Sequence, residues 1–197
     1  MITKENIVLV GGGGHCSSVI DVIEQQGIYG IVGIVDLKEK IGQRNLGYGI
    51  IACDEDLPKL ANEYKNFVIS IGQLNNPKRR IELFDLLQGL SVHIPSIISP
   101  LAYVSQHAKV GSGTVIMHMA QINAKAKIGN NCIINSKALI EHDAIIEDNC
   151  HIATGAIING GVKVCINSFI GIGVVTKQYI TIPEASFIKA NWLFKGI

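Results

Sequence analysis

Residues 122–157 read INAKAK IGNNCI INSKAL IEHDAI IEDNCH IATGAI. Each six-residue word opens on isoleucine, and the frame extends outward without an insertion to thirteen words, from Ile98 to Val175, each opening on Ile or Val. The fifth residue is nearly always small, as at Ala108, Ala126, Cys132, Ala144, Cys150 and Ser168. The fourth is often Gly, Asn or Asp, as at Gly113, Asn131, Asp143, Asn149, Gly155 and Gly173.

A fixed period marks a solenoid in which each repeat buries its apolar face only against its neighbours. Six is even, so the frame also preserves the alternation of a strand, and β-branched residues suit a pleated surface. Gly, Asn and Asp tolerate the left-handed backbone of a tight corner. The expected object is a prism in which each word is one short parallel strand plus a corner, with the opening aliphatic residue inside. Beyond Val175 the frame is expected to break at Thr176 and to return at Ile182 and Ile188 (188 − 182 = 6), with Trp192-Leu193-Phe194 capping the open end or packing on a neighbouring subunit.

The first ninety residues are organised differently. Ile7 to Val10 reads as a strand, Gly11-Gly12-Gly13-Gly14-His15 as a turn, and Val19, Ile20 and Ile23 as the inner face of a helix stopping at Gly27. A second strand, Ile31 to Val35, ends at Asp36; Asp54 opens a short helix to Tyr64; Phe67 to Ile71 is a third strand; and Asn76-Pro77 opens a helix over Lys78 to Gln88. Alternating strands and helices imply a small parallel sheet of the doubly wound, Rossmann-like type. The boundary between an α/β domain, 1–92, and an all-β solenoid domain, 93–197, is placed where Val92 to Ile97 leads into the repeats.

A glycine run between a first strand and a helix lets backbone amides and the helix N-terminus approach a phosphate, and an acid ending the second strand can bond a ribose or base. Gly13, Gly14, His15 and Asp36 are therefore candidates for a nucleotide site. Cys16 stands where a full G-x-G-x-x-G pattern needs its third glycine, so a tight turn without a ligand is the competing reading. About ninety residues hold only half of a dinucleotide fold, which disfavours NAD.

Composition excludes several classes. A net charge of +1 gives no electrostatic argument for nucleic acid or membrane surfaces. No apolar run approaches the roughly 18 residues of a membrane span, and no signal-peptide pattern follows Met1. The five cysteines show no metal-ligand spacing. Cys132 and Cys150 fall one coil apart (150 − 132 = 18) and are expected to stack as small buried hydrophobes in a reducing cytoplasm, with no metal and no disulfide.

The repeats resemble the hexapeptide left-handed parallel β-helix of a large acyltransferase superfamily. Both halves together resemble the bacterial NeuD/PglD-like sugar acetyltransferases, which include the N-acetyltransferase of UDP-bacillosamine synthesis and proteins named for sialic-acid O-acetylation. The resemblance rests on Gly-Gly-Gly-His at 12–15, Ile-Gly at 71–72, Ile-Asn-Ala-Lys-Ala-Lys-Ile at 122–128, Ile-Glu-His-Asp at 140–143 and Cys-His-Ile-Ala-Thr-Gly at 150–155. It implies a nucleotide sugar held by the N-terminal domain, acetyl-CoA between the solenoids of a homotrimer, and a cytoplasmic enzyme. Relatives are expected to carry about one further coil near the C-terminus, so acetyl-CoA binding by this shorter chain is expected to be weak.

Within that resemblance His142 is the general base, since an imidazole with an ordinary pKa of about 6.5 is largely neutral at pH 7. Its orienting carboxylate is Glu141 or comes from elsewhere. Gly72 and Asn123 are carried over to the substrate, and His151, Gly155 and Gly173 to the cofactor, with the Gly155 N–H as a donor to the thioester oxygen. His93, His107 and His118 read as solvated residues. The expected activity is N-acetylation of a nucleotide-activated amino sugar by direct transfer, because no Cys or Ser sits in a nucleophile motif beside His142. O-acetylation of a sialic acid and a non-catalytic trimeric accessory protein are the alternatives.

Overall fold

The computed structural model describes residues 4–74 and 76–196. Five strands form one sheet in the order β3-β4-β2-β1-β5, with β1 Glu5–Val10, β2 Tyr29–Val35, β3 Arg44–Asn45, β4 Tyr48–Ala52 and β5 Asn66–Ile69. Among the described residues only the β3–β4 pair is antiparallel. Helix α1, Gly14–Gln26, buries Cys16, Val19, Ile20, Val22 and Ile23 on one side of the sheet and stops at Gly27, whose φ of 69° lets its N–H turn back to Ile23 O. Helices α2, Leu57–Glu63, and α3, Lys78–Gly89, complete the unit.

Most of this follows the sequence expectation, with two departures. The hairpin Arg44–Ala52 was not expected. Asp54 opens only a single 3-10 turn, and Asp56, whose carboxylate accepts the Cys53 N–H at 3.0 Å, sits immediately before α2. Asn76 does cap as expected, its Oδ1 accepting the Lys78 N–H at 2.8 Å.

The solenoid consists of seventeen two-residue strands, from β6 at Ile97–Ile98 to β22 at Leu193–Phe194, stacked as three parallel sheets of six, six and five strands. Each strand pairs with the one 18 residues away, as Ile134 does with Ile116 and Ile152. Word-opening residues and their small fifth-position partners fill one continuous core from Ile116 to Phe194. Corner residues at the fourth position take left-handed φ values, 60° at Asp143 and 65° at Gly155. Cys132 and Cys150 lie in that core at 0 % exposure, and burial pushes both thiols up.

The period does not break at Thr176. Its side chain is inward and buried, and its Oγ1 accepts the Asn159 N–H at 2.9 Å, so the hydroxyl is satisfied one coil from its neighbour. The expected tail cap is instead the last strand: Leu193 pairs with Val175, Phe194 closes the core at 6 % exposure, and Trp192 and Leu193 stay half exposed.

The α/β unit packs on one face of the prism. Ile97, Val115 and Met117 join Ile7, Leu9, Val19 and Ile23 in a single buried cluster. His118 is not a solvated residue: its Nε2 lies 2.7 Å from Asp21 Oδ2 of α1, and its Nδ1 2.7 Å from Ser99 Oγ. Ser99 is 1 % exposed, so this Ser-His-Asp chain is a clip between the two units with no room for a substrate.

Candidate active site

The glycine run ends β1 in a turn that requires glycine at Gly11, where φ is 108° and a Cβ would strike Ile71. Asp36 clamps the turn. Its Oδ2 accepts the Gly12 N–H at 2.8 Å and its Oδ1 the Leu37 N–H at 2.7 Å, with Lys40 Nζ 3.1 Å away. Burial raises the Asp36 pKa, but these bonds outweigh it and hold the carboxyl below its usual range. Asn45, on the unexpected hairpin, adds a bond from Nδ2 to Gly12 O at 3.2 Å.

In front of Gly13 and Gly14 the space is open, and Gly13 stands at the N-cap of a 13-residue helix with no side chain covering it. Free amides at a helix start favour a phosphate. The opening is a cavity of about 890 Å³ whose wall includes Gly13, Gly14, His15, Asp36, Gly72 and His151. The sequence candidates for the nucleotide thus share one cavity. Burial, then the nearby charges of Arg80 and His151, lower the His15 pKa to about 3.

His151 belongs to this cavity as well. It is 6 % exposed, its Nδ1 lies 2.5 Å from the Gln73 carbonyl, and its ring stands edge-on to Phe169 at 5.1 Å. A carbonyl only accepts, so Nδ1 carries the proton and Nε2, 3.3 Å from Asn135 Nδ2, is the acceptor. Burial lowers its pKa to about 4, with Gln73 opposing and Arg80 assisting.

His142 sits elsewhere, on the corner between the strands Leu139–Ile140 and Ile145–Ile146, the prism edge opposite the face that carries His151 and the α/β unit. Nine residues are half a coil, so one chain does not bring the two histidines together. The His142 side chain is 51 % exposed and its Nδ1 lies 2.9 Å from Asp143 Oδ2. The carboxylate facing the ring is therefore Asp143. Glu141 is turned away, its Oε2 accepting from Asn123 Nδ2 at 3.0 Å and from the His142 N–H at 3.2 Å. Sequence reasoning missed Gly160, one coil beyond His142: a Cβ there would lie 2.8 Å from the ring atoms Cε1 and Nε2. The 18-residue spacing was the available signal.

The oxyanion donor expected at Gly155 is not free in this arrangement, because its N–H already donates to Ser136 O at 3.0 Å; that of Gly173 donates to Thr154 O at 3.1 Å. Both amides close the corner of the coil below. Among the described residues no group of His, Cys, Asp and Glu is placed to hold a metal.

Residues 6–87 match the PglD N-terminal domain, and residues 107–142 and 125–160 match the six-repeat bacterial transferase hexapeptide. No curated protein matches the chain in sequence. Among solved structures, a histidine-to-asparagine variant of perosamine N-acetyltransferase from Caulobacter crescentus, in complex with CoA and GDP-perosamine, is similar at 26 % identity and a TM-score of 0.88, over 100 % of this chain and 91 % of that one. The acetyltransferase domain of PglB from Neisseria gonorrhoeae, in complex with acetyl coenzyme A, is similar at 26 % identity and 0.84, over 95 % and 89 %. WeeI from Acinetobacter baumannii, at 21 % identity and 0.85 over 98 % and 92 %, shares the fold. With both family models in this order, and that likeness along its whole length, the chain is a PglD-like sugar acetyltransferase.

Proposed function

We propose that the chain transfers acetyl from acetyl-CoA to the amino group of a nucleotide-activated amino sugar, with residues 1–92 holding the nucleotide sugar and His142 as general base. The observation that carries this is the pairing, in one chain, of an open helix N-terminus in a cavity sized for a nucleotide with an exposed imidazole backed by a carboxylate. Perosamine N-acetyltransferase, similar over the whole chain, has been captured with CoA and a GDP-linked amino sugar.

Nδ1–H of His142, held by Asp143, leaves Nε2 with the lone pair. That nitrogen takes a proton from the sugar amine as the amine attacks the thioester carbonyl, forming the C–N bond. Collapse of the tetrahedral adduct breaks the C–S bond, and the CoA thiolate recovers the proton from the imidazolium. Asn123 and Glu141 form the floor of the same corner and keep its backbone in place.

A homotrimer supplies what one chain separates. The outward strip Leu139, Ile157, Val175 and Leu193 is apolar over four successive coils of one prism face, with Gln121 and Tyr103 completing it at the N-terminal end, and it suits a second copy of this chain. Assembly on such faces lets the His142 edge of one subunit meet the nucleotide cavity of the next, and the Phe169–Phe187 stack beside His151, at 5.0 Å, lines a path for the acyl donor. A reaction that draws on acetyl-CoA and a nucleotide sugar supports a cytoplasmic location.

The test is release of CoA thiol with a panel of UDP- and GDP-linked amino sugars, their hydroxyl counterparts and sialic acids. Turnover confined to the nucleotide amino sugars supports the reading. Turnover confined to sialic acid, or none with any acceptor, overturns it.

A further inference from the structure

Arg80, on α3, is 1 % exposed and lies between the two units. Its Nη1 donates to Ile69 O, the last carbonyl of β5, at 3.2 Å and to Ile71 O, two residues further on, at 2.6 Å. Its Nη2 donates to Asn131 Oδ1 at 2.9 Å on a corner of the solenoid. Asn131 Nδ2 continues to Asn149 Oδ1 at 2.8 Å, and the Asn149 carbonyl accepts from Gln73 Nε2 at 3.1 Å. Gln73 is two residues beyond Ile71, so the bonds close a ring: Arg80, Asn131, Asn149, Gln73 and back through the chain to Arg80. The Gln73 carbonyl, on that ring, is the acceptor for His151 Nδ1–H.

We propose that Arg80 is a positioning residue that fixes the Ile71–Gln73 wall of the cavity and, through the Gln73 carbonyl, holds His151 in the Nδ1–H tautomer, with its ring fixed in that wall between Gln73 and Asn135. A guanidinium suits this task because its planar fork reaches carbonyls on two separate elements at once, which an ammonium does not. Desolvating such a charge is costly, and here carbonyls and one amide oxygen are its hydrogen-bond partners. Its cost is consistent with a specifying role for the fork. The charge itself acts in the same direction. Arg80 from α3 and His15 from α1 are the titratable groups closest to His151, while across the cavity Asp36 pairs with Lys40 and Asp54 with Arg79. Arg80 helps to lower both histidines, so each stays neutral in weak acid.

The consequence for turnover rests on the acetyl-transfer reading; the tautomer does not, and it is read without substrate. In full-length protein carrying [15N]histidine, with His151 assigned through His151→Asn, long-range 15N–1H spectra at pH 7 are expected to show Nδ1–H alone in the parent. Arg80→Lys keeps the charge but loses the fork, and is expected to give a mixture of tautomers. With it kcat falls about tenfold while KM for the nucleotide sugar changes less than about threefold. Arg80→Met also removes the charge and is expected to move the acidic limb of the pH–rate profile upward. Should the Arg80 variants not fold, Gln73→Ala cuts the tie to Asn149 without touching the buried charge and carries the same expectation for the tautomer. A parent in the Nε2–H form, or an unchanged Nδ1–H signal in the folded variants, overturns the proposal.

Discussion

Replacing Gly160 by alanine tests the placement of the base without altering any reacting group. The backbone at Gly160 is not in the left-handed region, so alanine is not strained there, but its Cβ would lie 2.8 Å from His142 Cε1 and Nε2. Ordinary contact begins near 3.4 Å, so the ring must retreat by at least 0.6 Å (3.4 − 2.8). The side chain is half exposed, so it swings outward more easily than the packed coil deforms, and the swing breaks the 2.9 Å contact with Asp143. A displacement near 1 Å from attack geometry costs up to about 100-fold, so kcat is expected to fall roughly 10- to 100-fold with Tm almost unchanged. Thiol release at saturating acetyl-CoA and acceptor, beside a thermal melt, reads both. Parental turnover in a correctly folded Gly160→Ala protein would show that the ring does not work from its position over Gly160.

Three further outcomes follow from the same geometry. His142→Ala should lower turnover by roughly 100-fold or more, the loss of a general base from an outward position, while light scattering still reports a trimer; near-normal turnover would demote His142 to a corner residue. His15 and His151 have folded pKa values near 3 and 4 against an ordinary 6.5, so between those limits the unfolded chain binds more protons than the folded one. Stability is therefore expected to be full above about pH 7 and to fall as pH drops toward 4, by on the order of 3 kcal/mol for His151 alone, and urea melts at pH 7 and 5 should separate accordingly. Calorimetry should detect UDP or GDP in the Gly13–Asp36 cavity and lose that signal in Gly13→Asp; tighter binding of NAD than of any nucleotide sugar would contradict the site.

Legibility in the sequence followed how local each cause was. The solenoid was readable because every coil repeats the same inward slot, and the word spacing gave both strand positions and corners. Thr176 misled because the slot was expected to hold only Ile or Val, whereas a hydroxyl fits once Asn159 satisfies it. The β3–β4 hairpin was missed because Gly47, Tyr48 and Gly49 interrupt any alternation, and the packing of Ile51 against Gly33 on β2 is a tertiary fact. The glycine run, Asp36 and His15 were legible as a phosphate-binding turn, since that chemistry depends on a few adjacent residues. His151 was expected on the cofactor. Its nine-residue distance from His142 gave half a coil, but the face covered by the α/β unit depends on packing between halves. Arg80 gave no signal at all, because an arginine on an amphipathic helix ordinarily faces solvent.

The central claim is that acetyl goes to the nitrogen of a nucleotide-linked amino sugar, and the most direct measurement is 13C NMR of the product made from [1-13C]acetyl-CoA. The account predicts an amide carbonyl on the intact nucleotide sugar, absent when His142→Ala replaces the parent. An ester carbonyl on a sugar hydroxyl, or no labelled product although the nucleotide sugar binds, would contradict it.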